Sequence, residues 1–600
     1  LIATRMRTQD MLGITDLYEE RLKNLFSVEC WGGATFDVAL RFLKEDPWER
    51  LEKLREQMPS ALLQMLFRGS NALGYTNYPD NVLRRFIQLS AQSGIDVFRI
   101  FDALNWIENM RVSIDEVLKS GKICEASICY SGDLSSPAEK KYTLDYYLKM
   151  AQKLEKMGVH FLAIKDMAGL CKPKAAKILF KELKKSIKIP IHFHTHDTSG
   201  NGVATLLNAS EAGVDIVDVA IDSWSGFTSQ PSFGAVLESL DGNKRDPKIS
   251  SAVVRTAANY WEGVRKQYQP FESKTRTSMS EVYLHQMPGG QYTNLREQAR
   301  SMGITDERWP ELASMYAEVN KIFGDVIKVT PISKVVGDMA IYMLANNIQI
   351  QDVLDPKKDV GFPASVIEFF SGRLGQPYKG FPKALQKKIL KGKKPINYRF
   401  GSKLPSLKIK NRTKELEKKY SETISEKDTI SQIFFPEVFD EYIKHKKKFG
   451  NTSVIPTSNY FFGMNTGEEI YVSIEPGKTL IIRYFTLSEP NEKGYRTVYF
   501  ELNGQARSVD IKDNSIAVDD LAKEIADPSN KDHVAAPIPG LLVDVAVTEG
   551  IKVPKGAKLC TIEAMKMETV IYADQPGKVE RLCVKAGENI EAQQLLLIIK

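Results

Sequence analysis

The sequence predicts a multidomain α/β protein: a (β/α)8 TIM-type barrel with a helical extension, a small mixed α/β module, and a C-terminal all-β domain folded as a flattened β-barrel. Three observations lead to this fold class. Short apolar runs alternate with helix-like segments over the first part of the chain, which is typical of parallel βα units. Helical periodicity then takes over, and the last part contains short strands and an internal repeat.

Composition and charge restrict the class of protein. The chain has 600 residues, too many for one hydrophobic core, and its 43% hydrophobic and 26% charged residues are typical of a folded soluble protein. No apolar run is long enough to cross a bilayer and residues 1–7 lack a signal-peptide pattern, so we expect no membrane partner and a cytoplasmic location. The net charge of +7 is spread along the chain, which argues against a nucleic-acid partner.

Seven apolar runs in the first part of the chain are predicted to be β-strands, at residues 27–31, 62–67, 96–101, 123–130, 160–165, 189–196 and 214–221. No GxGxxG motif follows the first of them, which argues against an open doubly wound sheet of the dinucleotide-binding type. The count of seven favours a barrel over residues 1–250 whose first strand lies upstream of Leu1.

The predicted strand at residues 189–196 carries three of the seven histidines of the chain. Because side chains alternate along a strand, His192, His194 and His196 share one face. Three imidazoles on one face suit metal binding, since in an apolar core each ring needs its own hydrogen-bond partner. His194 and His196 lie nearest the carboxyl end of the strand and are the candidate ligands, with His192 deeper. The alternative is three hydrogen-bonded core histidines.

A barrel places its chemistry at the carboxyl ends of its strands, and besides the histidine pair this rule selects Arg68, Asp102, Lys165 and Asp166. Lys165 shares a strand face with Phe161, so we expect it to point into the barrel. A buried lysine with a lowered pKa is neutral, and a neutral amine can add CO₂ to form a carbamate, an anionic oxygen ligand for a metal. The alternative is an ordinary ion pair of Lys165 with Asp166 or Asp102.

Residues 251–445 have helical periodicity and are predicted to extend the barrel domain. Within them, Thr330 precedes Pro331 in a loop that leads into a helix predicted at residues 335–345. The local sequence indicates a helix-capping role for the Thr330 hydroxyl. Residues 446–528 are the mixed module, with strands predicted at residues 469–474, 479–485, 497–502 and 507–511.

The last domain, residues 529–600, contains an internal repeat. Residues 540–550 match residues 577–587 with the same glycine spacing, and residues 559–562 match residues 596–599. Two similar β-rich halves predict a quasi-symmetric flattened barrel. Lys566 falls between the halves at an expected turn, where a lysine is well placed to carry a tethered group.

Residues 563–568, Glu-Ala-Met-Lys-Met-Glu, resemble the biotin-attachment motif of biotin-dependent carboxylases. Motifs elsewhere resemble the pyruvate carboxylase family, and they are residues 29–37, 68–75, 164–169, 194–198 and 329–331. The resemblance covers nearly the whole chain. It implies that the four predicted segments are a carboxyltransferase barrel, its helical extension, a tetramerisation or allosteric module, and a biotin carboxyl carrier (biotinyl) domain.

The resemblance also implies roles for single residues in cofactor binding. Lys566 would carry covalent biotin. Lys165 would be N-carboxylated and would bind a divalent metal, Mn²⁺ or Zn²⁺, together with His194 and His196.

For the reaction itself, the resemblance implies that Arg68 binds pyruvate. Thr330 would contact the substrate and transfer a proton between pyruvate and biotin, which replaces the cap role. In the implied reaction, carboxybiotin releases CO₂ and the pyruvate enolate attacks it to give oxaloacetate. This is the carboxyltransferase half-reaction of a multifunctional ligase that serves gluconeogenesis and anaplerosis.

The family also uses parts that we do not find in this sequence. ATP and bicarbonate would be used by an N-terminal domain, and the first barrel strand with its aspartate metal ligand is expected upstream of Leu1. The expected partners are further copies of the chain in a homotetramer, biotin protein ligase and a small-molecule allosteric effector. Related alternatives are an oxaloacetate decarboxylase or transcarboxylase subunit, and the non-enzyme alternative is a metal-bound assembly scaffold.

Overall fold

The computed structural model describes residues 2, 5–272, 277–475, 477–491, 494–513, 524–528, 530–564 and 567–600. The first part of the chain forms a parallel sheet in the strand order β1-β2-β3-β4-β5-β6-β7. Its strands are β1 (Val28–Gly32), β2 (Leu63–Arg68), β3 (Val97–Phe101), β4 (Ile123–Cys129), β5 (Phe161–Asp166), β6 (Ile191–Thr195) and β7 (Ile216–Val217). All seven strands predicted from the sequence are therefore confirmed.

Helices surround this sheet, as expected for parallel strands that are buried on both faces. They are α1 (Thr8–Leu12), α2 (Thr15–Arg21), α3 (Gly33–Val38), α4 (Pro47–Gln57), α5 (Asp80–Ser93), α6 (Ile107–Lys119), α7 (Leu144–Lys156), α8 (Pro173–Ser186), α9 (Gly202–Glu211) and α10 (Phe233–Leu240). The start of α4 shows how the sequence sets a boundary: the Asp46 carboxylate accepts the backbone N–H groups of Trp48 and Glu49, and Pro47 occupies the first turn.

The helical extension follows the barrel. Its helices, with the one that leads into the next module, are α11 (Ser251–Arg265), α12 (Val282–His285), α13 (Gly289–Ser301), α14 (Trp309–Ile322), α15 (Ile332–Ala345), α16 (Ile350–Leu354), α17 (Ala364–Phe370), α18 (Lys383–Leu390), α19 (Ile409–Tyr420), α20 (Glu426–Phe434), α21 (Pro436–Phe449) and α22 (Thr457–Phe462). The predicted start of α15 at residue 335 is wrong by three residues. Pro331 occupies the N-cap position, where its missing N–H costs no hydrogen bond within the helix. The helix can therefore begin at Ile332.

The barrel and the extension share one continuous hydrophobic core. The ring of Phe36 stacks on that of Phe435 at 5.9 Å, and Phe86 meets Phe434 edge to face at 5.0 Å. Each such aromatic pair adds about 0.5–1.5 kcal/mol beyond the area that it buries. This shared core fixes the loops of the extension relative to the barrel.

The next module is an antiparallel sheet in the order β11-β10-β9-β8. Its strands are β8 (Glu469–Glu475), β9 (Lys478–Leu487), β10 (Tyr495–Leu502) and β11 (Gln505–Lys512), which confirms the four predicted strands. Leu502 pairs with Gln505, and the two turn residues, Asn503 and Gly504, have φ angles of 49° and 80°. Both angles are positive, as a two-residue hairpin turn with an Asn-Gly sequence requires.

The last part of the chain consists of two sheets, in the orders β12-β19-β17-β14 and β16-β15-β13-β18. Their strands are β12 (His533–Ala535), β13 (Gly540–Val545), β14 (Lys552–Val553), β15 (Lys558–Ala564), β16 (Met567–Tyr572), β17 (Gly577–Leu582), β18 (Asn589–Ile590) and β19 (Leu595–Ile599). Corresponding segments of the repeat form β13 and β17, and β15 and β19, on opposite sheets. The predicted quasi-symmetric β domain is confirmed.

Along the residues that the structure describes, helices long and apolar enough to cross a membrane are absent.

Candidate active site

A cavity of about 620 Å³ lies at the carboxyl ends of the barrel strands. Its lining includes five of the six site residues predicted from the sequence, which are Arg68, Lys165, His194, His196 and Thr330. The first four come from the ends of β2, β5 and β6, and Thr330 comes from the loop between α14 and α15. The fold therefore brings together residues from distant parts of the chain.

The two candidate histidine ligands face each other in this cavity. Their Nε2 atoms are 3.2 Å apart. The outer nitrogen of each ring has its own partner: His196 Nδ1 donates to the Thr228 carbonyl at 2.7 Å, and His194 Nδ1 lies 2.7 Å from Asp218 Oδ2. Burial lowers the pKa of both histidines, with further lowering from the nearby Lys165. Both rings are neutral, so each presents an Nε2 lone pair to the same point.

Lys165 lies beside His194 on the neighbouring strand, since the two residues are in register between β5 and β6. Its side chain is 6% exposed, and Nζ lies 5.4 Å from the centre of the Phe101 ring. Burial lowers the pKa of Lys165. Among the described residues, no carboxylate forms an ion pair with Nζ. Burial therefore disfavours the charged form of this amine, which lines the cavity, and the carbamate hypothesis requires the neutral form.

Asp102 and Asp166, which the strand-end rule also selected, do not pair with Lys165. Asp102 accepts hydrogen bonds from the backbone of Leu104 and Trp106 and from the Asn109 side chain. Asp166 accepts hydrogen bonds from the backbone of Leu170 and Cys171 and from the Thr195 hydroxyl. Both carboxylates hold the turns after their strands. The alternative of an ordinary lysine ion pair with either of them is wrong.

A network of charged side chains, which we call the floor network, lies beside His194 and consists of Glu29, Arg99, Glu125, His192 and Asp218. Arg99, Glu125 and His192 are buried. Arg99 contacts the carboxylates of Glu125 and Asp218 and lies 2.9 Å from Glu29 Oε2. His192 bridges two of these carboxylates, with Nδ1 at 2.6 Å from Glu125 Oε2 and Nε2 at 2.7 Å from Asp218 Oδ1. Asp218 in turn contacts His194.

The charges of the floor network determine the protonation of His194. Burial opposes a charge on His192, but Asp218 and Glu125 outweigh it and raise the pKa of His192 to about 9. Burial also opposes ionisation of Glu125, yet Arg99 and His192 lower its pKa to about 2. Arg99 and His192 hold the pKa of Asp218 well below its ordinary value in the same way, against burial. An ionised Asp218 accepts the Nδ1–H of His194, which leaves the lone pair on Nε2.

Sequence reasoning missed Arg99, Glu125 and Asp218. The available signal was a charged residue inside an otherwise apolar strand, because a buried charge of this kind needs a buried partner. Arg99 is central in β3, and Glu125 lies within β4.

Arg68 lies at the rim of the cavity at the end of β2. Its Nη1 donates to the carbonyls of Leu73 and Gly74, the second at 3.2 Å, and its guanidinium lies 5.4 Å from the centre of the Tyr75 ring. The residue is 8% exposed, and burial lowers its pKa, although an arginine keeps its charge at neutral pH. The result is a fixed cation at the cavity mouth.

Thr330 lines the same cavity, and we group it with Arg68 as the rim residues. Thr330 follows the buried Val329, and the peptide bond between Thr330 and Pro331 is cis. The N-cap of α15 is Pro331, and no side-chain cap bond is formed there. The capping role that the local sequence indicated for Thr330 is therefore wrong at this helix. Thr330 lines the cavity instead.

The residues present fit a divalent cation. Two imidazole nitrogens converge, and Lys165, whose charged form is disfavoured by burial, lines the same cavity. Within the described ranges, no group of three or more histidine, cysteine, aspartate and glutamate side chains has a metal-binding arrangement. The histidine pair thus needs a third ligand of another kind, and Lys165 is the neighbour that can become one.

Lys566, the sixth predicted site residue, lies outside the described residues, as does Met565. The strands on either side of them are described: Ala564 at the end of β15 pairs with Met567 at the start of β16.

Three family models match the chain. They are described as HMGL-like over residues 91–226, as a conserved carboxylase domain over residues 282–483, and as a biotin-requiring enzyme over residues 532–599. Pyruvate carboxylase from Bacillus subtilis (strain 168) is 50% identical over 600 residues, which is 100% of this chain and 52% of that protein. The chain therefore spans about half the length of the curated relatives that it matches.

Solved structures give the same result. The carboxyl transferase domain from Rhizobium etli pyruvate carboxylase is 52% identical with a TM-score of 0.83, and the match covers 85% of this chain and 86% of that one. A complete multifunctional pyruvate carboxylase from Rhizobium etli is 50% identical with a TM-score of 0.83, over 99% of this chain and 55% of that one. Together with the cavity and the family models, these matches show that the chain belongs to the pyruvate carboxylase family.

Proposed function

We propose that the chain transfers a carboxyl group from biotin to pyruvate to form oxaloacetate, as the carboxyltransferase part of a pyruvate carboxylase. The observation that carries this proposal is the meeting of Arg68, Lys165, His194, His196 and Thr330 in one cavity. The related Rhizobium etli carboxyl transferase domain has been solved with pyruvate and biocytin, which supports the same substrates here.

The cofactor that we assign to the histidine pair is a divalent cation, Mn²⁺ or Zn²⁺. His194, His196 and Lys165 would hold it, with Lys165 first converted to a carbamate: the neutral amine adds CO₂ and loses one proton. When bound, the cation polarises the pyruvate carbonyl and stabilises the negative charge that develops on its oxygen. The floor network keeps His194 in the tautomer that can bind it.

Arg68 and Thr330 both line the cavity and act on the substrate. The guanidinium of Arg68 is fixed by two backbone carbonyls, so its remaining N–H groups can bind the pyruvate carboxylate without losing conformational freedom. The Thr330 hydroxyl can donate one proton while it accepts another. It thereby passes the proton of the pyruvate methyl group to the biotin nitrogen that gives up the carboxyl group. The C–N bond of carboxybiotin breaks and the C–C bond of oxaloacetate forms.

The remaining roles follow from the family and the biotin-requiring domain over residues 532–599. Lys566 would carry the biotin, attached by biotin protein ligase. The ATP- and bicarbonate-using step that charges biotin would take place on an N-terminal part of the full protein. Assembly as a homotetramer, an allosteric effector and a cytoplasmic location stay predictions.

The alternatives are less well supported. The relatives compared above are named pyruvate carboxylases, which favours transfer to pyruvate over an oxaloacetate decarboxylase or transcarboxylase subunit. A metal-bound assembly scaffold has no need for a fixed cation and a hydroxyl in the lining of one cavity.

The test of this function compares Thr330→Ala with Thr330→Ser in the biotinylated protein, with transfer of ¹³C from labelled carboxybiotin to pyruvate measured by NMR. We expect Thr330→Ala to abolish transfer with fold and metal content intact, and Thr330→Ser to retain it because serine keeps the hydroxyl. Transfer at a near wild-type rate in Thr330→Ala would exclude the proton-transfer role.

A further inference from the structure

The loop that carries Thr330, residues 323–331, is joined to its own helix α14 at its start, by hydrogen bonds to residues 323–325. At the end of α14, Gly324 N–H donates to the Lys321 carbonyl at 3.0 Å and Asp325 N–H to the Asn320 carbonyl at 2.8 Å. The carbonyls of Gly324 and Asp325 point the other way, toward the barrel. Carbonyls at a helix carboxyl end need outside donors, and a cation is the preferred donor there.

Two adjacent residues of the loop between β4 and α7 supply those donors. Lys141 Nζ donates to the Gly324 carbonyl at 2.6 Å and to the Asp325 carbonyl at 2.9 Å. The Tyr142 hydroxyl also donates to the Asp325 carbonyl, at 2.8 Å. Three hydrogen bonds therefore join this barrel loop to Gly324 and Asp325, which lie six and five residues before Thr330.

The donors themselves are held in place. Glu139 Oε1 accepts the backbone N–H groups of Lys141 at 2.7 Å and Tyr142 at 2.9 Å. At the other end of the same loop, Tyr130 N–H donates to the Lys165 carbonyl at 2.8 Å. One barrel loop thus contacts both the backbone of Lys165 and the loop of Thr330.

Lys141 is half-buried, and the charges around it affect its protonation. Burial lowers its pKa to about 8, with Lys328 and Lys379 adding to this effect while Asp325 and Glu139 oppose it. The Lys328 ammonium is buried and 3.5 Å from Asp325 Oδ1. Because Lys141 still carries its charge at pH 7, its hydrogen bonds to the carbonyls are charge-assisted.

We propose that Lys141 and Tyr142 are positioning residues that hold the Thr330 loop against the barrel and so set the distance between the Thr330 hydroxyl and the substrate. Proton transfer requires heavy atoms about 2.6–3.2 Å apart, and a misplacement of about 1 Å costs about 100-fold in rate. The proposal rests on the proton-transfer role of Thr330 given above. It assigns no contact between Lys141 or Tyr142 and the substrate.

The test uses the biotinylated holoenzyme with Lys141→Met, which removes the donor, and Lys141→Arg, which restores donors. Lys140→Met is the matched control, because Lys140 is exposed and, within the part of the chain that the structure describes, its ammonium donates to the Pro137 carbonyl alone. The measurements are kcat, KM for pyruvate, exchange of pyruvate methyl protons with D₂O by ¹H NMR, and the thermal midpoint.

We expect Lys141→Met to lower kcat and methyl-proton exchange together by about 10- to 100-fold, with KM for pyruvate changed less than about 2-fold. Lys141→Arg should recover much of the loss, Tyr142→Phe should give a smaller loss, and Lys140→Met should match the wild type. A wild-type kcat in Lys141→Met overturns the proposal. So does a loss that Lys141→Arg does not restore and that comes with a lower thermal midpoint.

Thr330→Ala, measured alongside, separates the two hypotheses. If Thr330→Ala abolishes exchange while Lys141→Met does not change it, only the positioning role fails. If Thr330→Ala itself keeps wild-type exchange, the proton-transfer role fails.

Discussion

The floor and the rim of the cavity hold their functional side chains by different means. At the floor, His194 contacts Asp218, which belongs to a network of charged side chains from several strands of the sheet. At the rim, Arg68 is fixed by carbonyls of its own loop, and the loop of Thr330 is bound through its carbonyls by Lys141. A charge network fixes protonation as well as position, whereas carbonyl contacts fix position alone. Floor variants should therefore change stability and cation affinity, and rim variants should change proton transfer.

The largest effect is expected from Arg99→Met at the floor. Arg99 is fully buried, and its loss leaves the ionised carboxylates of Glu125 and Asp218 without their main partner. Removal of one member of a buried charge network costs about 3–5 kcal/mol, so the thermal midpoint of the barrel should fall markedly. Arg111→Met, which breaks an exposed pair with Glu108, is the control and should have almost no effect. Equal midpoints for the two variants would contradict the floor network.

A smaller effect is expected from Asp218→Asn, which keeps the shape of the side chain and removes its charge. His194 then loses the charged acceptor of its Nδ1–H, and the amide NH₂ of asparagine can present a donor to Nδ1 instead, so the affinity for Mn²⁺ or Zn²⁺ should fall by about 10- to 100-fold. Calorimetric titration of metal-stripped protein measures this affinity. Asp215→Asn, whose carboxylate pairs with Lys184 away from the cavity, should keep wild-type affinity. A fall of similar size in both variants would mean that Asp218 acts only through stability.

The smallest effect is expected from His285, which contrasts with the charged His192 because burial acts on it without a compensating carboxylate among the described residues. His285 lies three residues before the cavity-lining Pro288, and its Nδ1 accepts the backbone N–H of Met287. Burial lowers the pKa of His285 to about 4. Between pH 6.5 and 4 the unfolded state binds the extra proton more readily, so the stability that neutral His285 contributes above pH 6.5 is lost as the pH falls.

At pH 6 this loss amounts to about 1 kcal/mol relative to pH 8. The measurement compares the pH dependence of denaturant unfolding in the wild type and in His285→Gln, which keeps a hydrogen-bond acceptor. We expect a shallower decline in His285→Gln. An identical decline in the two proteins would show that His285 does not titrate in this way.

Sequence reasoning worked best where a rule is local. Alternation along one strand placed His194 and His196 on one face, and the strand-end rule placed Arg68 and Lys165 at the cavity, because both rules depend only on β-strand geometry. The repeat in the last domain predicted a quasi-symmetric β fold, because similar sequences form similar strands, and the corresponding strands lie on two sheets.

Sequence reasoning worked less well where the role of a residue depends on partners that are distant in the chain. Asp102 satisfies the strand-end rule but binds backbone N–H groups of its own turn. Arg99 and Glu125 lie on the adjacent strands β3 and β4, and they meet Asp218, which follows β7, only in the folded sheet. Thr330 was indicated as a cap by its neighbours, and only the packing of the extension on the barrel places it at the cavity.

The most direct test of the whole account is the reverse reaction, since it needs neither ATP nor bicarbonate. Oxaloacetate is supplied to the protein with and without free biotin, and the pyruvate released is measured. If the cavity transfers carboxyl groups between pyruvate and biotin, added biotin should accelerate pyruvate release, and Thr330→Ala should lose the acceleration. Pyruvate release that is independent of biotin, or unchanged in Thr330→Ala, would contradict the account.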